Sequence, residues 1–469
     1  MIRLSVFDEE QVKAIHEATL RILNETGVIF THPEGRRLLQ EAGATLDQGR
    51  IRLPPEVVEW AISLAPNTVT IRGRGGVSRT LGAGDLHWHN LGGARDVYDA
   101  RSGKKRPAVL QDVRDSARLL DALENESTIT PFFTPTDVPS ALMSLAMYRY
   151  SLPFTTKPLQ GPGVQNAAEV RYAVKMAEVI GPPAEVLSIS VSPVSPLYFP
   201  DDTAAAIMEV ARLGIPFAPL PCPTAGTTAP FSIAGALTQQ NADVLAALTL
   251  AQVIHPGLPV VYCGRLAMME PRTGGSVWGG VELGLASAGT VQIGHHYHLP
   301  VNVYGFSTNS HVLDVQNGFE RALNAAIPAL AGADELSGIG EMEAGVMGSY
   351  AQMVVDNEIA ASVARLRRSF STEPDALAVE VIAAAMNGSH NFMGQKHTVR
   401  YLRLGEVLIT ELAERRPWEV WEREGQVSMT ERAQAKAERL LATHEVPTLS
   451  PQQESALDAI LEAAKMENA

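Results

Sequence analysis

The chain has 469 residues, 45% of them hydrophobic, with 38 Lys and Arg against 52 Asp and Glu and a formal net charge of −14. A chain of this size can bury a large core, its composition is that of an ordinary globular protein, and its acidic balance argues against a phosphate-backbone partner, which needs clustered Lys and Arg. No apolar run is long enough to span a bilayer, and Met1–Asp8 has neither a secretory apolar region nor a cleavage site. A cytoplasmic protein with no nucleic-acid and no membrane partner is expected.

Asp8 reads as an N-cap, and Val12, Ile15, Ala18, Ile22 and Leu23 then recur at helical spacing up to Gly27. A second helix is expected from Pro33 to Ala42, with Gly43 just past its end. Arg50–Leu53 alternates like a strand, Pro54-Pro55 opens a helix through Leu64, and Val69–Arg72 is a further short strand. Together these make a small α+β cap over residues 1–85. A rhythm then sets in: short apolar runs begin at Leu86, Ile129, Phe154, Leu187, Ile215, Leu258, Val301 and Glu335, each followed by a polar turn and a helix-sized stretch. Eight strand–helix units read most simply as an α/β fold of the (β/α)8 TIM-barrel type, over residues 86–372. Ser232–Ile254 is apolar with few charges, as expected of a helix buried on more than one side. The last barrel helix, Met353–Phe370, ends in Arg365, Arg367 and Arg368, which complement its dipole. Beyond Pro374, helices are expected over Ala376–Met386, Thr398–Arg415, Thr430–Thr443 and Pro451–Ala464. They form a C-terminal helical extension over 373–469 that wraps the barrel or serves as a subunit contact.

Such a barrel carries its chemistry in the loops after the strands. Those loops hold His89 and Asn90 (strand 1), Gln160 (strand 3), Arg265 and Trp278 (strand 6), Phe306, Asn309 and His311 (strand 7), and Glu341 and Glu343 (strand 8). They make a polar rim over an apolar barrel, the usual form of a small-molecule site. Trp88, Phe133, Tyr262, Trp278 and Phe306 fall near the same face. Aromatic faces with a carboxylate can cage a quaternary ammonium; the competing reading, favoured for Tyr262, is that the rings fill barrel layers. Walker A, HExxH, GxSxG and Rossmann motifs are absent. Gly274–Gly280 offers amides to an anion, although such stretches are more often simply mobile loops. His295-His296-Tyr297-His298 looks like a metal cluster, but it falls at the N-terminal, stability face and its adjacent His side chains diverge on a helix, so no metal site is expected. Cys222 and Cys263 exclude a disulfide framework and a zinc-ribbon spacing and read as small apolar barrel residues. A thiolate nucleophile would need a basic neighbour, and only Arg265 is near in sequence.

Several stretches resemble the trimethylamine methyltransferase (MttB-type) family: Ala225-Gly226-Thr227-Thr228-Ala229-Pro230, Asn241–Ala246, Pro256–Tyr262, Ser307-Thr308-Asn309-Ser310 with Asp314-Val315-Gln316, Gly338-Ile339-Gly340-Glu341-Met342-Glu343, and Asp356-Asn357-Glu358-Ile359. The likeness extends to Glu25–Val28 and Pro417–Glu422, and so covers nearly the whole chain. It implies a (β/α)8 barrel that moves a methyl group from an amine to the cobalt of a separate corrinoid protein and binds no cofactor permanently. Archaeal trimethylamine enzymes of the family carry pyrrolysine just after the last barrel strand. By motif matching that position falls near Glu343-Ala344-Gly345, where an ordinary residue stands. The resemblance is therefore to the non-pyrrolysine branch, similar to glycine betaine:corrinoid methyltransferases, and a quaternary, betaine-like amine is the expected donor. Because Co(I) of the partner attacks, no Ser or Cys nucleophile is needed.

On loop position, Glu343 and His311 are the expected catalytic residues. Aromatic faces such as Trp278 and Phe306, with Glu343, would meet the ammonium, and Arg265 or His311 would take a carboxylate. His89, Asn90, Gln160, Asn309 and Glu341 would bind and orient the substrate. The family resemblance and the helical tail favour a homo-oligomer. Two other readings stand beside this one. A non-catalytic amine-binding or regulatory barrel that has lost methyl transfer is favoured by the small Ala344. A barrel enzyme with a different methyl acceptor is the other.

Overall fold

The computed structural model describes residues 2–161 and 163–467; Met1, part of the leader reading, and residues 468–469 of the expected extension lie outside the described residues. Helix α1 (Glu9–Arg21) starts at a capping box in which Asp8 accepts from the Gln11 amide and the Gln11 side chain reaches back, an arrangement that contributes about 1 kcal/mol. A wider turn, Ile22–Thr26, ends it at Gly27. Gly27 has φ +74°, and a Cβ there would meet the Ile51 carbonyl oxygen at 2.7 Å, so only glycine serves at this crossing. Helices α2 (Pro33–Glu41) and α3 (Pro55–Leu64) follow, each with proline in its first turn.

Eight parallel segments close into a barrel: β1 (His87–Asn90), β2 (residues 128–129), β3 (Leu159–Gly161), β4 (Leu187–Val191), β5 (Phe217–Pro219), β6 (Tyr262–Gly264), β7 (Val301–Tyr304) and β8 (Glu335–Ile339). Each link of the ring is seen. β8 pairs with β1 and β7, β7 with β6, and β4 with β3 and β5. Single parallel bridges complete it: His89 to Thr128, Ile129 to Leu159 and Phe217 to Val260. Eight helices alternate with the strands: α4 (Leu110–Ala122), α5 (Met143–Ser151), α6 (Ala167–Ile180), α7 (Asp201–Arg212), α8 (Ile233–Ile254), α9 (Val281–His296), α10 (Val315–Ala331) and α11 (Tyr350–Arg368). As the apolar sequence of α8 requires, it is covered on several sides, by α1, α2, α3, α7 and α9.

Departures from the sequence reading have local causes. The third run does not become a strand at Phe154: Leu152–Phe154 is a tight turn, and Thr155 and Thr156 bind the Asp121 carboxylate, which holds the chain off the barrel until Leu159. Several hairpins depart from the sequence expectations, two of them at the ends of the barrel. Val69–Arg72 pairs with Ser78–Leu81, and this hairpin plugs the N-terminal end of the barrel. Val69 and Leu81 pack on Ala218, Val261 and Cys263, and Arg79 Nη1 donates to Thr128 Oγ1 at 2.9 Å. At the opposite end Asp96–Asp99 pairs with Lys104–Pro107 and with Met347–Gly348, which also pairs with Glu341–Met342.

In the tail, Val379–Met386 (α12) is separated from a short turn at Pro374–Leu377 by Ala378, φ +56°. The helix expected to reach Arg415 stops at Arg403 (α13, Lys396–Arg403): Gly405 turns left-handed, and Arg368 binds the carbonyls of Leu404 and Gly405. Arg365 likewise holds the Glu406 carbonyl, so the basic end of α11 anchors the tail. Helices α14 (Met429–Thr443) and α15 (Pro451–Glu467) then strap the barrel, α14 over α11 and α4, α15 over α5 and α6.

Candidate active site

Alternation along the strands turns an unusual number of polar side chains inward. In β7, Val301 and Val303 face the helices, while Asn302 faces the bore. There its amide nitrogen donates to His89 Nε2 at 2.8 Å and to Glu335, and its oxygen accepts from Arg265. Since His89 Nε2 accepts, the network assigns the ring proton to Nδ1, which donates to the Asn90 carbonyl at 2.8 Å. Burial lowers the His89 pKa, consistent with a neutral imidazole.

Above this layer Arg265 stacks its guanidinium 4.6 Å from the centre of the Tyr304 ring. The edge of Trp278 meets the same ring at 5.4 Å and 89°. The loop bearing Trp278 is pinned by Asn309, whose Oδ1 accepts the amides of Trp278 and Gly279, both at 2.7 Å. Those amides are therefore spoken for, and the glycine-rich stretch is no anion nest but the far limb of a hairpin, Ser276–Val277 on Ala267–Met269.

Glu341 follows β8. One of its oxygens accepts from Ser307 Oγ, while Oε2 is buried with no hydrogen-bond partner. It lies beneath the next turn, 3.7 Å from where a Gly345 Cβ would stand. Burial pushes its carboxyl up to about 7. A buried ion pair sets its position: Asp356 of α11 accepts from Arg321 of α10 at 2.8 Å and from the Gly340 amide at 2.7 Å. The turn over it is strained. Glu343, Ala344 and Gly345 all have positive φ, 50°, 57° and 85°, which side chains disfavour. It is held by Glu343 and Ala344 amides bonded to the carbonyls of Ser310 and Thr308.

The structure brings the expected residues together in two groups. His89, Arg265, Trp278 and Asn309 belong to the inner network; Gln160 stands apart on β3, its Oε1 buried without a partner. Glu343 and His311 meet at the rim: Glu343 lies 3.1 Å from Lys105 and 3.6 Å from His311 Nδ1. They border a cavity of about 220 Å³ also lined by Tyr98, Val312 and Met347. Two expectations need correction. Asn90 spends its side chain tying β1 to the Thr130 backbone, and Phe306 is fully buried against Trp88; both hold the barrel shut. Cys263 is buried in the bore, whereas Cys222 is exposed at the strand ends rather than a packed barrel residue. The Cys222 Sγ–H donates to the Leu220 carbonyl at 3.7 Å and its pKa is raised rather than lowered, so it is no thiolate at neutral pH. Tyr304, Asn302 and Glu335 were missed, although polar residues at alternate positions of an apolar strand signal an inward face. His295 bonds Asp334 at 2.8 Å beside a cavity of about 440 Å³ at the plugged end, and no described group of three or more His, Cys, Asp or Glu is placed to hold a metal.

A barrel plugged at one end, with cationic, aromatic and carboxylate groups gathered where its strands finish, is the framework of an enzyme acting on a small molecule. The trimethylamine methyltransferase (MTTB) family model matches residues 1–468, and the chain belongs to that family; it is a methyltransferase. Similar proteins include the trimethylamine methyltransferase MttB of Desulfitobacterium hafniense, 28% identical over 99% of this chain and 95% of that one. The glycine betaine methyltransferase of the same species is also 28% identical, over 98% of this chain and 97% of that one. Among solved structures, the monomethylamine methyltransferase of Methanosarcina barkeri superposes with a TM-score of 0.54 over 99% of this chain and 88% of that one. At 14% identity that match bears on the fold alone, and there it agrees with the barrel. No described helix is long and apolar enough to cross a membrane.

Proposed function

We propose that this protein moves a methyl group from a quaternary, betaine-like amine to the Co(I) of a separate corrinoid protein. The observation that carries the reading is the pairing of Arg265, stacked on the Tyr304 ring that Trp278 meets from another side, with the unpartnered oxygen of Glu341. A betaine presents one charge of each sign, and this site offers a match for both. Aromatic faces and Glu341 take the ammonium; Arg265 takes the carboxylate. The corrinoid, when its carrier docks, supplies the nucleophile, and nothing in this chain has to: Cys222 is held protonated. The chain's own residues fix the donor. Asn302 clamps Arg265, Asn309 clamps the Trp278 loop, and the Arg321–Asp356 pair clamps Glu341. Orientation of one N–CH3 bond toward the open end is the contribution such clamping makes to rate. A quaternary donor leaves as a neutral tertiary amine, so no side chain has to deliver a proton. Glu343 and His311 line the way in, and His89 and Gln160 form the floor. The enzyme is cytoplasmic, divides into residues 1–85, 86–372 and 373–469, and works as a homo-oligomer.

The test is methylation of a reduced corrinoid protein from the same source, followed by its visible spectrum, with glycine betaine, other betaines, carnitine, choline and trimethylamine as donors. Conversion with one quaternary amine supports the reading. Binding of an amine without conversion by any donor refutes it in favour of a binding barrel.

A further inference from the structure

The tail leaves an apolar arm uncovered. Between Ser369 and Glu411 only Ala385 is buried, yet the stretch is rich in large apolar side chains. On α12, Val379, Ile382 and Met386 are 65%, 49% and 60% exposed, and their spacing puts them on one face. Leu402 on α13, Met393 between the helices and Ile409 beyond them are exposed at 51%, 89% and 82%. The arm is nonetheless folded on itself: Asp375 binds Arg400, the Tyr401 hydroxyl at 3.1 Å and His397. An ordered apolar face of this extent marks a contact surface.

The total area says how much is missing. The chain exposes 20214 Å², whereas a compact monomer of 50.4 kDa exposes about 17,000 Å². The excess of roughly 3,000 Å² per chain, about 6,000 Å² counted over two partners, is at the upper end of what obligate subunit interfaces bury.

We infer that the arm, residues 369–411, is the subunit interface and that its occupant is a second copy of this chain. This deepens the homo-oligomer reading above and rests on it. Two other occupants fit worse. The corrinoid carrier must dock and leave, and such transient surfaces are more polar. It must also reach the open end of the barrel, whereas the arm is anchored at the plugged end: Arg365 and Arg368 hold its base while Arg367 beside them reaches the Gly84 carbonyl ahead of β1. An anionic membrane is disfavoured by charge, since residues 369–411 carry five carboxylates against three Lys and Arg.

The test is light scattering on size-exclusion chromatography of the full chain and of the double variant Ile382→Glu with Met386→Glu. Both positions are exposed in the protomer, so the variant should keep the parent's circular-dichroism spectrum and melt cooperatively, at a temperature lowered only by the lost association. The expected result is a dimer or larger symmetric oligomer for the parent and a folded monomer for the variant, with self-association weakened at least ~100-fold. A photo-crosslinking phenylalanine analogue in place of Met393 should give a covalent species of twice the chain mass, which keeps the inference testable if the double variant precipitates. A parent oligomer untouched by the variant, or no crosslink at position 393, overturns the arm as interface and leaves the oligomer reading standing. A monomeric parent overturns both.

Discussion

Replacing Glu341 by Gln tests the proposed site at its most telling atom. In the free protein the carboxyl sits near pH 7 because burial disfavours its charge. A quaternary ammonium carries its charge at every pH, so donor and proton compete for Glu341. At ~5 Å and an effective dielectric near 20 the attraction is about 3 kcal/mol, and desolvation reduces the net gain to roughly 1.4–3 kcal/mol, a tenfold to hundredfold difference in affinity between ionised and protonated forms. Affinity for glycine betaine should therefore be highest above pH 7 and fall by about that factor as the pH drops toward 5. Glu341→Gln should bind at the low-pH affinity throughout, with a flat profile. Titration calorimetry in two buffers of different ionisation enthalpy reads both effects, since the parent should release protons on binding near pH 6–7 and the variant none. A parent affinity that is flat from pH 5.5 to 8 without proton release, or a variant equal to the parent at pH 8, would refute contact between donor and Glu341.

Arg265→Lys keeps the charge but loses the planar stack on Tyr304; affinity for glycine betaine should drop about tenfold, and for choline, which lacks a carboxylate, by less than about threefold in the same calorimeter. Asp356→Asn leaves Arg321 charged and unpaired at a fully buried site, and urea unfolding should show a loss of roughly 3–5 kcal/mol. Asp243 is buried beneath the Ser195 hydroxyl and Leu197 amide with its carboxyl pushed up to about 7 from 3.8. The folded state therefore binds the proton more tightly than the unfolded one, and stability falls as pH rises between about 4 and 7, by up to about 4 kcal/mol, then levels off. Thermal melts across that range should show the slope, and Asp243→Asn should reduce it.

The barrel was legible because its strand-forming runs are short, apolar and separated by helix-sized stretches, a pattern that survives in β4 and β8, every residue of which is buried. The hairpins were not, because their strands are not apolar: Lys104–Pro107 is exposed throughout, and Ser78–Leu81 follows a glycine-rich turn that reads as a loop. The loops at the strand ends could be located from the sequence, but position along a strand does not say which way a side chain turns. Asn90 and Phe306, at the ends of their runs, serve the wall, while Tyr304 presents its ring to Arg265. Motif residues that suggested kinship turn out to be staples. Asn241 joins α1 to β6 through Thr19 and the Tyr262 hydroxyl, and Glu358 gathers three tail amides, those of Glu411, Leu412 and Ala413. Those roles depend on partners distant in sequence, which spacing cannot show.

The hairpin that stops the lower end of the bore also fixes the kinetics of the proposed reaction. With Val69, Leu81 and Arg79 filling that end, the proposed reaction would bring donor, demethylated product and acceptor through the opposite, open end. The amine has to enter before the carrier covers it, and the product can leave only after the carrier departs. Steady-state rates should therefore follow a compulsory order with the amine first. Excess methyl-free carrier should act as a substrate inhibitor by occupying the open end ahead of the donor.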